Sequence, residues 1–300
     1  MRKSHNPIVA IVLIGMLLIL FPLSCANAGE IIVFPDTNLE AAVRRAIDKP
    51  TGDIRKCYLE GLTELYDEGG GIIDLTGLEH CTNLTILYIW RNQVNEISPL
   101  SALASLTTLH IERNQISDIS ALSNLINLTE LAVYKNQIDD ISPLANLTNL
   151  TILSLGRNPI SDISPLANLS NLTKLSLDRA EINDISPLSN LTSLTHLALW
   201  ENQISDVSPL ANLTSLTYLA LNDNEISDVS PLASLTNLEL VALAGNQISD
   251  ISPLLSLSGL STENAVDLRW NPLSDISINV YIPQLEQRGL NVIWSPTSTP

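Results

Sequence analysis

Residues 106–122, from Leu106 to Leu122, read L-T-T-L-H-I-E-R-N-Q-I-S-D-I-S-A-L, and a version of this stretch returns every 22 residues. Its asparagine recurs as Asn92, Asn114, Asn136, Asn158, Asn202, Asn224 and Asn246, with Ala180 in the one slot that breaks the series. A last copy, Asn271, follows Asn246 by 25 residues because the segment around Ser258 to Asn264 is longer. The L-x-L of each copy, here Leu109 and Ile111, alternates apolar and polar, which suits a short strand with one buried face. The I-S-D-I-S-P-L that follows, such as Ile160 to Leu166, turns the chain. Ser164 is placed to cap a short helical turn, and Pro165 sits where a missing N–H costs nothing. Leu166, Leu169 and Leu172 then come at three-residue spacing, the period of a tight 3-10 turn with its apolar side inward. One copy cannot bury that side alone, whereas a stack of copies can.

The spacing therefore predicts an α/β solenoid, a horseshoe with a parallel concave β-sheet and short 3-10 turns on the convex side. Neighbouring strands would lie about 4.8 Å apart. The sharp turn after each strand takes backbone groups away from water. An asparagine amide offers donors and an acceptor, so a stacked column of asparagines is expected to satisfy one repeat from the next. The ends of such a stack need covers. A helical N-terminal cap is expected over residues 29–61, where Leu39, Val43 and Ile47 share one face of a helix from Glu40 to Ile47 and Asp36 or Thr37 caps it. Repeats follow over 62–275, the first irregular, with Gly69-Gly70-Gly71 replacing its strand end. Residues 276–294 read as a helix–strand C-terminal cap, a short helix closed by Gly289 and then a strand, Leu290 to Trp294. Residues 295–300 are Pro/Ser/Thr-rich, a linker or tail.

The chain has 300 residues, 45% of them hydrophobic and only 4% aromatic, so its core is Leu and Ile and its composition is not that of a disordered chain. Residues 1–28 read as a secretory signal peptide: Arg2 and Lys3 form the charged start, Ile8 to Leu20 the apolar run, and Ala26-Asn27-Ala28 the cleavage site. Export to the cell surface or the medium follows from that reading, with no stable membrane span after cleavage. An uncleaved anchor and lipid attachment at Cys25 stay open. Cleavage removes two basic residues and no acidic one, leaving thirteen basic against 32 acidic residues and a net charge of −19. Phosphate backbones would be repelled, which excludes a general nucleic-acid binder. Of the two cysteines then left, Cys81 shares its slot with Leu103 and Leu125, so Cys57 and Cys81 are expected as two buried thiols, with a disulfide between them permitted outside the cell.

Residues 202–217, N-Q-I-S-D-V-S-P-L-A-N-L-T-S-L-T, together with F-P-D-x-N-L-E-A-A-V from Phe34 to Val43, carry a resemblance. The chain resembles secreted bacterial leucine-rich repeat proteins of the internalin type over about residues 30–295. That resemblance implies extracellular recognition of a macromolecule, usually a protein, on the concave sheet face.

On such a sheet the positions two, four and six before each asparagine face the concave side and are free to vary. They include Trp90, Glu112, Tyr134 and Trp200 in the first column, Tyr88 and His110 in the second, and His196 and Tyr218 in the third. Exposed aromatic side chains on a rigid sheet are typical anchors for a protein partner, and these residues are the expected binding surface. One residue before the asparagine runs a second pattern, Arg91, Arg113, Lys135, Arg157 and Arg179, which then switches to Glu201 and Asp223. This row points to an acidic stripe on the partner, or to an anionic glycan, with pairing to neighbouring acids as the structural alternative. Carbohydrate binding through Trp90, Trp200 and the cations is the alternative function, and a passive adhesive coat a third. The aspartates Asp118, Asp140, Asp162, Asp184, Asp206, Asp228 and Asp250 lack calcium-loop spacing and are assigned to the turn. No nucleophile elbow or H-E-x-x-H is present, so no enzyme, cofactor or metal is expected. The N-L-T and N-L-S triplets are by-products of the repeat rather than glycosylation sites.

Overall fold

The computed structural model describes residue 25 and residues 29–260 and 265–295. The signal segment apart from Cys25, most of the long segment before Asn271's strand, and the end of the tail lie outside the described residues. Eleven strands pair side by side, in parallel and in chain order, from Glu64–Glu68 to Asn291–Ile293. Leu87 faces Leu109, and Leu109 faces Leu131, one 22-residue step per rung. Register of this kind stacks like slots on like slots, so Leu109, Leu122, Leu125 and Leu128 are all fully buried, as are their counterparts above and below. Each buried leucine contributes about 2 kcal/mol relative to exposure, and only the neighbouring repeats supply that burial. Between strands lie 3-10 turns such as Ser142–Leu144 and Ser164–Leu166, with proline in the first turn.

The cap of these turns is not the serine hydroxyl expected from the sequence. Ser164 donates its N–H to Asp162 Oδ1 at 2.8 Å, and the same bond recurs from Ser120 to Asp118 and from Ser142 to Asp140. A carboxylate two residues before an amide closes an Asx turn without strain. The serine hydroxyl then donates to the other oxygen, as Ser142 does to Asp140 at 2.9 Å. Accepting the serine N–H holds the carboxyls of Asp118, Asp162, Asp184 and Asp228 below the usual aspartate range. The aspartate row is committed to the turn.

The asparagine column works as a ladder. Asn136 accepts the Ile116 N–H at 3.1 Å and donates to Ile111 O and Val133 O at 3.0 and 2.9 Å. Asn158 also donates to Val133 O, at 3.1 Å, so that carbonyl takes two amides. At Ala180 the pairing lapses. Among the described residues, Leu155 O receives a ladder amide from Asn158 alone and Leu177 O from Asn202 alone, while the Ile160 N–H turns back to Asn158 O at 2.8 Å. Ala180→Asn is therefore expected to stabilise the protein by up to about 1 kcal/mol. An unchanged or lower Tm would count against the ladder account. Two further ladders flank this one. Thr107 Oγ1 donates to Thr85 O and Thr129 Oγ1 to Thr107 O, both at 3.1 Å, and Asn149 and Asn171 donate across to Ile126 O and Thr148 O at 2.8 Å. In the triplets that begin at Asn83, Asn127, Asn149 and Asn171, both the asparagine and the threonine side chains are thus taken up by the stack.

The helix Thr37–Ala46 covers the first repeat, with Leu39 and Val43 fully buried. Asp36, not Thr37, caps it, accepting the Asn38 and Leu39 N–H groups at 2.8 and 3.0 Å. Its other oxygen accepts the Ile73 and Asp74 N–H groups at 2.7 and 3.1 Å, which clamps helix to repeat. Gly70 occupies the ladder slot of the first repeat, and Asp67 substitutes for the missing amide: it accepts from Gly70 N and from Asn92 Nδ2, both at 3.1 Å, while Arg45 reaches it at 3.2 Å. At the far end a wide helical turn, Ser277–Tyr281, leads into the helix Ile282–Gln287. Gly289, at φ +85°, ends it and delivers the strand Asn291–Ile293 beside residues 265–267.

The expectation of two buried thiols needs correction at Cys57. Cys81 is sealed in its leucine slot, and burial pushes its thiol up to about 12. Cys57 lies on the short helix Lys56–Leu59 of the cap and is only half-buried. In the uncleaved chain it is bonded to Cys25, with a Cα–Cα separation of 6.1 Å, and cleavage after Ala28 would remove that partner and leave Cys57 a thiol. The core packing that isolates Cys81 is what keeps it from pairing. Among the described residues no helix is long and apolar enough to cross a membrane.

Candidate functional site on the concave face

Side chains six and four positions before each asparagine flank a buried strand leucine and therefore point to the concave side. Toward the N-terminal end, Tyr88 stacks on His110 with ring centroids 4.3 Å apart, and Tyr66 extends the stack at 5.1 Å. Tyr66 is missing from the sequence columns because they begin at the first regular repeat; one more step of 22 residues back from Tyr88 finds it. Burial, and then the bond it donates to Glu64 at 2.9 Å, push the Tyr66 phenol up to about 12. His110 stands between two carboxylates, Glu130 at 2.9 Å and Glu112 at 3.6 Å. Glu130 was not singled out by sequence, although it lies in the same column as Tyr218. Burial raises the Glu112 carboxyl, and its second oxygen has no hydrogen-bond partner among the described residues.

A second cluster lies further along. His196 and Tyr218 face each other across adjacent strands and stack at 5.9 Å. Burial and then the Lys174 cation hold the His196 imidazole below its ordinary value. The column between the flanking rows narrows here to Ala132, Ser154, Ser176 and Ala198, and a shallow hollow of about 210 Å³ opens over the sheet. Ile152, Ser154, Lys174, Ser176, His196 and Tyr218 line it. In the column nearest the asparagines, Arg157 lies 5.7 Å from the Tyr134 ring centre and Arg179 lies 4.8 Å from that of Trp200. Asp178 sits buried between these pairs against Gly156, where a Cβ would approach within 2.5 Å of its Oδ1. Trp90 and Trp200 are five rungs apart, about 24 Å at sheet spacing, so they do not form one platform.

The cationic row has a backbone property that sequence does not display. Arg91, Arg113, Lys135, Arg157 and Arg179 all have φ between +53° and +60°, as do Glu201 and Asp223. The chain leaves each strand through this left-handed residue to bring the asparagine under the ladder. Gly69 and Gly245 occupy the same slot with φ +65° and +67°. Arg91 pairs with Glu68 at 3.1 Å and Arg179 with Glu201 at 2.5 Å. Arg113 and Lys135 have no ion pair among the described residues, and with Arg91, Asn114 and Gln137 they line an open groove of about 410 Å³.

Comparison with known proteins agrees with this architecture. A family model described as leucine rich repeats (2 copies) matches residues 82–124 and six further overlapping windows ending at 214–256. A search of curated protein sequences finds no match. Among solved structures, internalin C2 of Listeria monocytogenes str. 4b F2365 is 40% identical over 71% of this chain and 95% of its own, with a TM-score of 0.68. Internalin F of the same organism is 33% identical over 89% of this chain and 92% of its own, with a TM-score of 0.62. At 21% identity, the ectodomain of the Arabidopsis thaliana receptor kinase GASSHO1/SCHENGEN3, solved in complex with CASPARIAN STRIP INTEGRITY FACTOR 2, shares the fold over 82% of this chain and 32% of its own, with a TM-score of 0.62. The 22-residue ladder, the Asp36-capped helix and these two bacterial relatives lead to one conclusion: the chain belongs to the leucine-rich repeat family and is a protein of the internalin type.

Proposed function

We propose that this protein recognises another protein outside the cell through the concave face of its sheet. The observation that carries the reading is the hollow over Ser154, Ser176 and Ala198, walled by the His196–Tyr218 stack. A recess with an apolar floor and rigid aromatic walls accepts a partner's anchoring side chain at little entropic cost. Tyr88, Trp90, His110, Glu112 and Tyr134 extend the contact surface toward the N-terminal end. The exterior location rests on the signal segment expected at residues 1–28. The glycan alternative is weaker, because Arg179 lies over the Trp200 ring that a sugar would stack on.

The test compares wild type with Trp90→Ala/Trp200→Ala and His196→Ala/Tyr218→Ala on an array of recombinant cell-surface ectodomains and on a glycan array. Wild type is expected to bind at least one ectodomain, and each folded double variant to bind it at least about tenfold more weakly. Equal binding by both variants would sink the concave-face reading. Capture of glycans alone would replace protein with carbohydrate as the ligand class.

A further inference from the structure

We propose that the row from Arg91 to Arg179, continued by Glu201 and Asp223, is a docking track for an extended protein segment that is acidic along most of its length and basic at one end. This rests on the reading that the protein binds protein, and it adds the partner's charge pattern and a second contact line at the strand exits.

The backbone of this slot gives no reason for five cations. The slot is left-handed, a conformation that costs a side-chain-bearing residue about 1 kcal/mol and glycine almost nothing. Gly69 and Gly245 show that the fold accepts glycine there. Stacking like charges about 4.8 Å apart adds repulsion. Yet a chain of net charge −17 places five of its fifteen lysines and arginines in this one row. Internal pairing answers for part of it: Glu68 takes Arg91, Glu201 takes Arg179, and Arg157 lies beside Tyr134. Arg113 and Lys135 are exposed, have no ion pair among the described residues, and line the open groove at the middle of the row.

The change of sign selects the kind of anion. A uniform polyanion following the row would meet Glu201 and Asp223 after the fifth rung, on a molecule already strongly acidic. A polypeptide can carry the complementary change from acidic to basic and gain at both ends. Five rungs span about 19 Å, and the next two add about 10 Å. An extended chain at about 3.3 Å per residue covers these with about six acidic and three basic residues.

The experiment uses fluorescein-labelled synthetic peptides on the whole exported protein, by fluorescence anisotropy at low and high salt. One peptide has about six glutamates followed by three lysines, a second has the same composition in alternating order, a third is all glutamate, and heparin serves as the polyanion. The block peptide is expected to bind wild type about tenfold tighter than the alternating one and to weaken as salt rises. Arg113→Glu/Lys135→Glu, checked for folding by circular dichroism, is expected to lose about tenfold in affinity, and Glu201→Lys to shift preference toward the all-glutamate peptide. Absence of block-peptide binding, equal binding of the alternating peptide, or tighter binding of heparin would each overturn the proposal. Because the peptides carry no aromatic anchor, such a failure leaves the ectodomain test of the concave hollow standing.

Discussion

Replacing Asn158 with alanine is expected to lower the free energy of unfolding by about 3 kcal/mol, since each buried polar group left unpaired costs about 1–3 kcal/mol. The side chain is only 2% exposed. Its oxygen accepts the Asn136 and Ile138 N–H groups, both at 3.1 Å, and its nitrogen donates to Val133 O and Leu155 O at 3.1 and 2.7 Å. Val133 O would still hold Asn136. Leu155 O would lose its remaining ladder amide, because Ala180 already leaves the next rung empty. Two silent rungs in succession weaken one joint of a stack whose stability is a sum of nearest-neighbour terms. Urea unfolding of Asn158→Ala should therefore lose coincidence between circular dichroism and tryptophan fluorescence as the two sides of that joint melt separately. A single coincident transition shifted by less than about 1 kcal/mol would contradict the ladder energetics.

Asp36→Ala is expected to cost about 2 kcal/mol, part of it the helix cap and part the clamp onto Ile73 and Asp74. The figure stays below the sum of four hydrogen bonds because Ile73 is exposed, and water can replace the carboxylate there. The same carboxylate gives an acid signature. Burial raises its pKa, but the four backbone N–H groups that it accepts outweigh burial and leave it lowered. A lowered folded value means that the unfolded chain takes up the proton first. The contribution is complete above the unfolded value of about 3.9 and is lost as pH falls through the folded value. Asp36→Asn should be less stable than wild type near neutrality, and the gap between them should narrow below about pH 4. A gap that stays constant down to that pH would show that the carboxylate's charge is not what the cap uses.

The period, the register and the asparagine ladder were all legible from Leu106 to Leu122, because a stack makes residues 22 apart into neighbours. The helix cap was legible only as Asp36 or Thr37, since both precede the apolar face of helical spacing, and the geometry selects Asp36. The turn cap was misassigned to serine because Ser164 and Asp162 both satisfy a capping pattern, and only the geometry shows which oxygen reaches the amide. Asp67 was out of reach: it occupies a slot filled by Ile89 and Ile111 elsewhere, and its partners Arg45 and Asn92 are remote in sequence. The concave columns located Tyr88, His110, His196 and Tyr218, yet their grouping into two stacks and a hollow depends on side-chain direction. Positive φ in the cationic row was hidden because arginine and lysine are not the residues that signal it.

In-register pairing also separates the core from the contact surface in inheritance. The regular repeats, those that carry the ladder asparagine, offer nearly the same two faces to their neighbours, so gaining or losing one such 22-residue unit would leave the leucine packing and the ladder bonds of each interface in place. A ligand bridging the Tyr88 and Tyr218 regions would instead find its anchor points displaced by about 4.8 Å. The distance between contact groups is therefore a quantity that a single recombination within the gene can reset, in fixed increments, with no point mutation in either site.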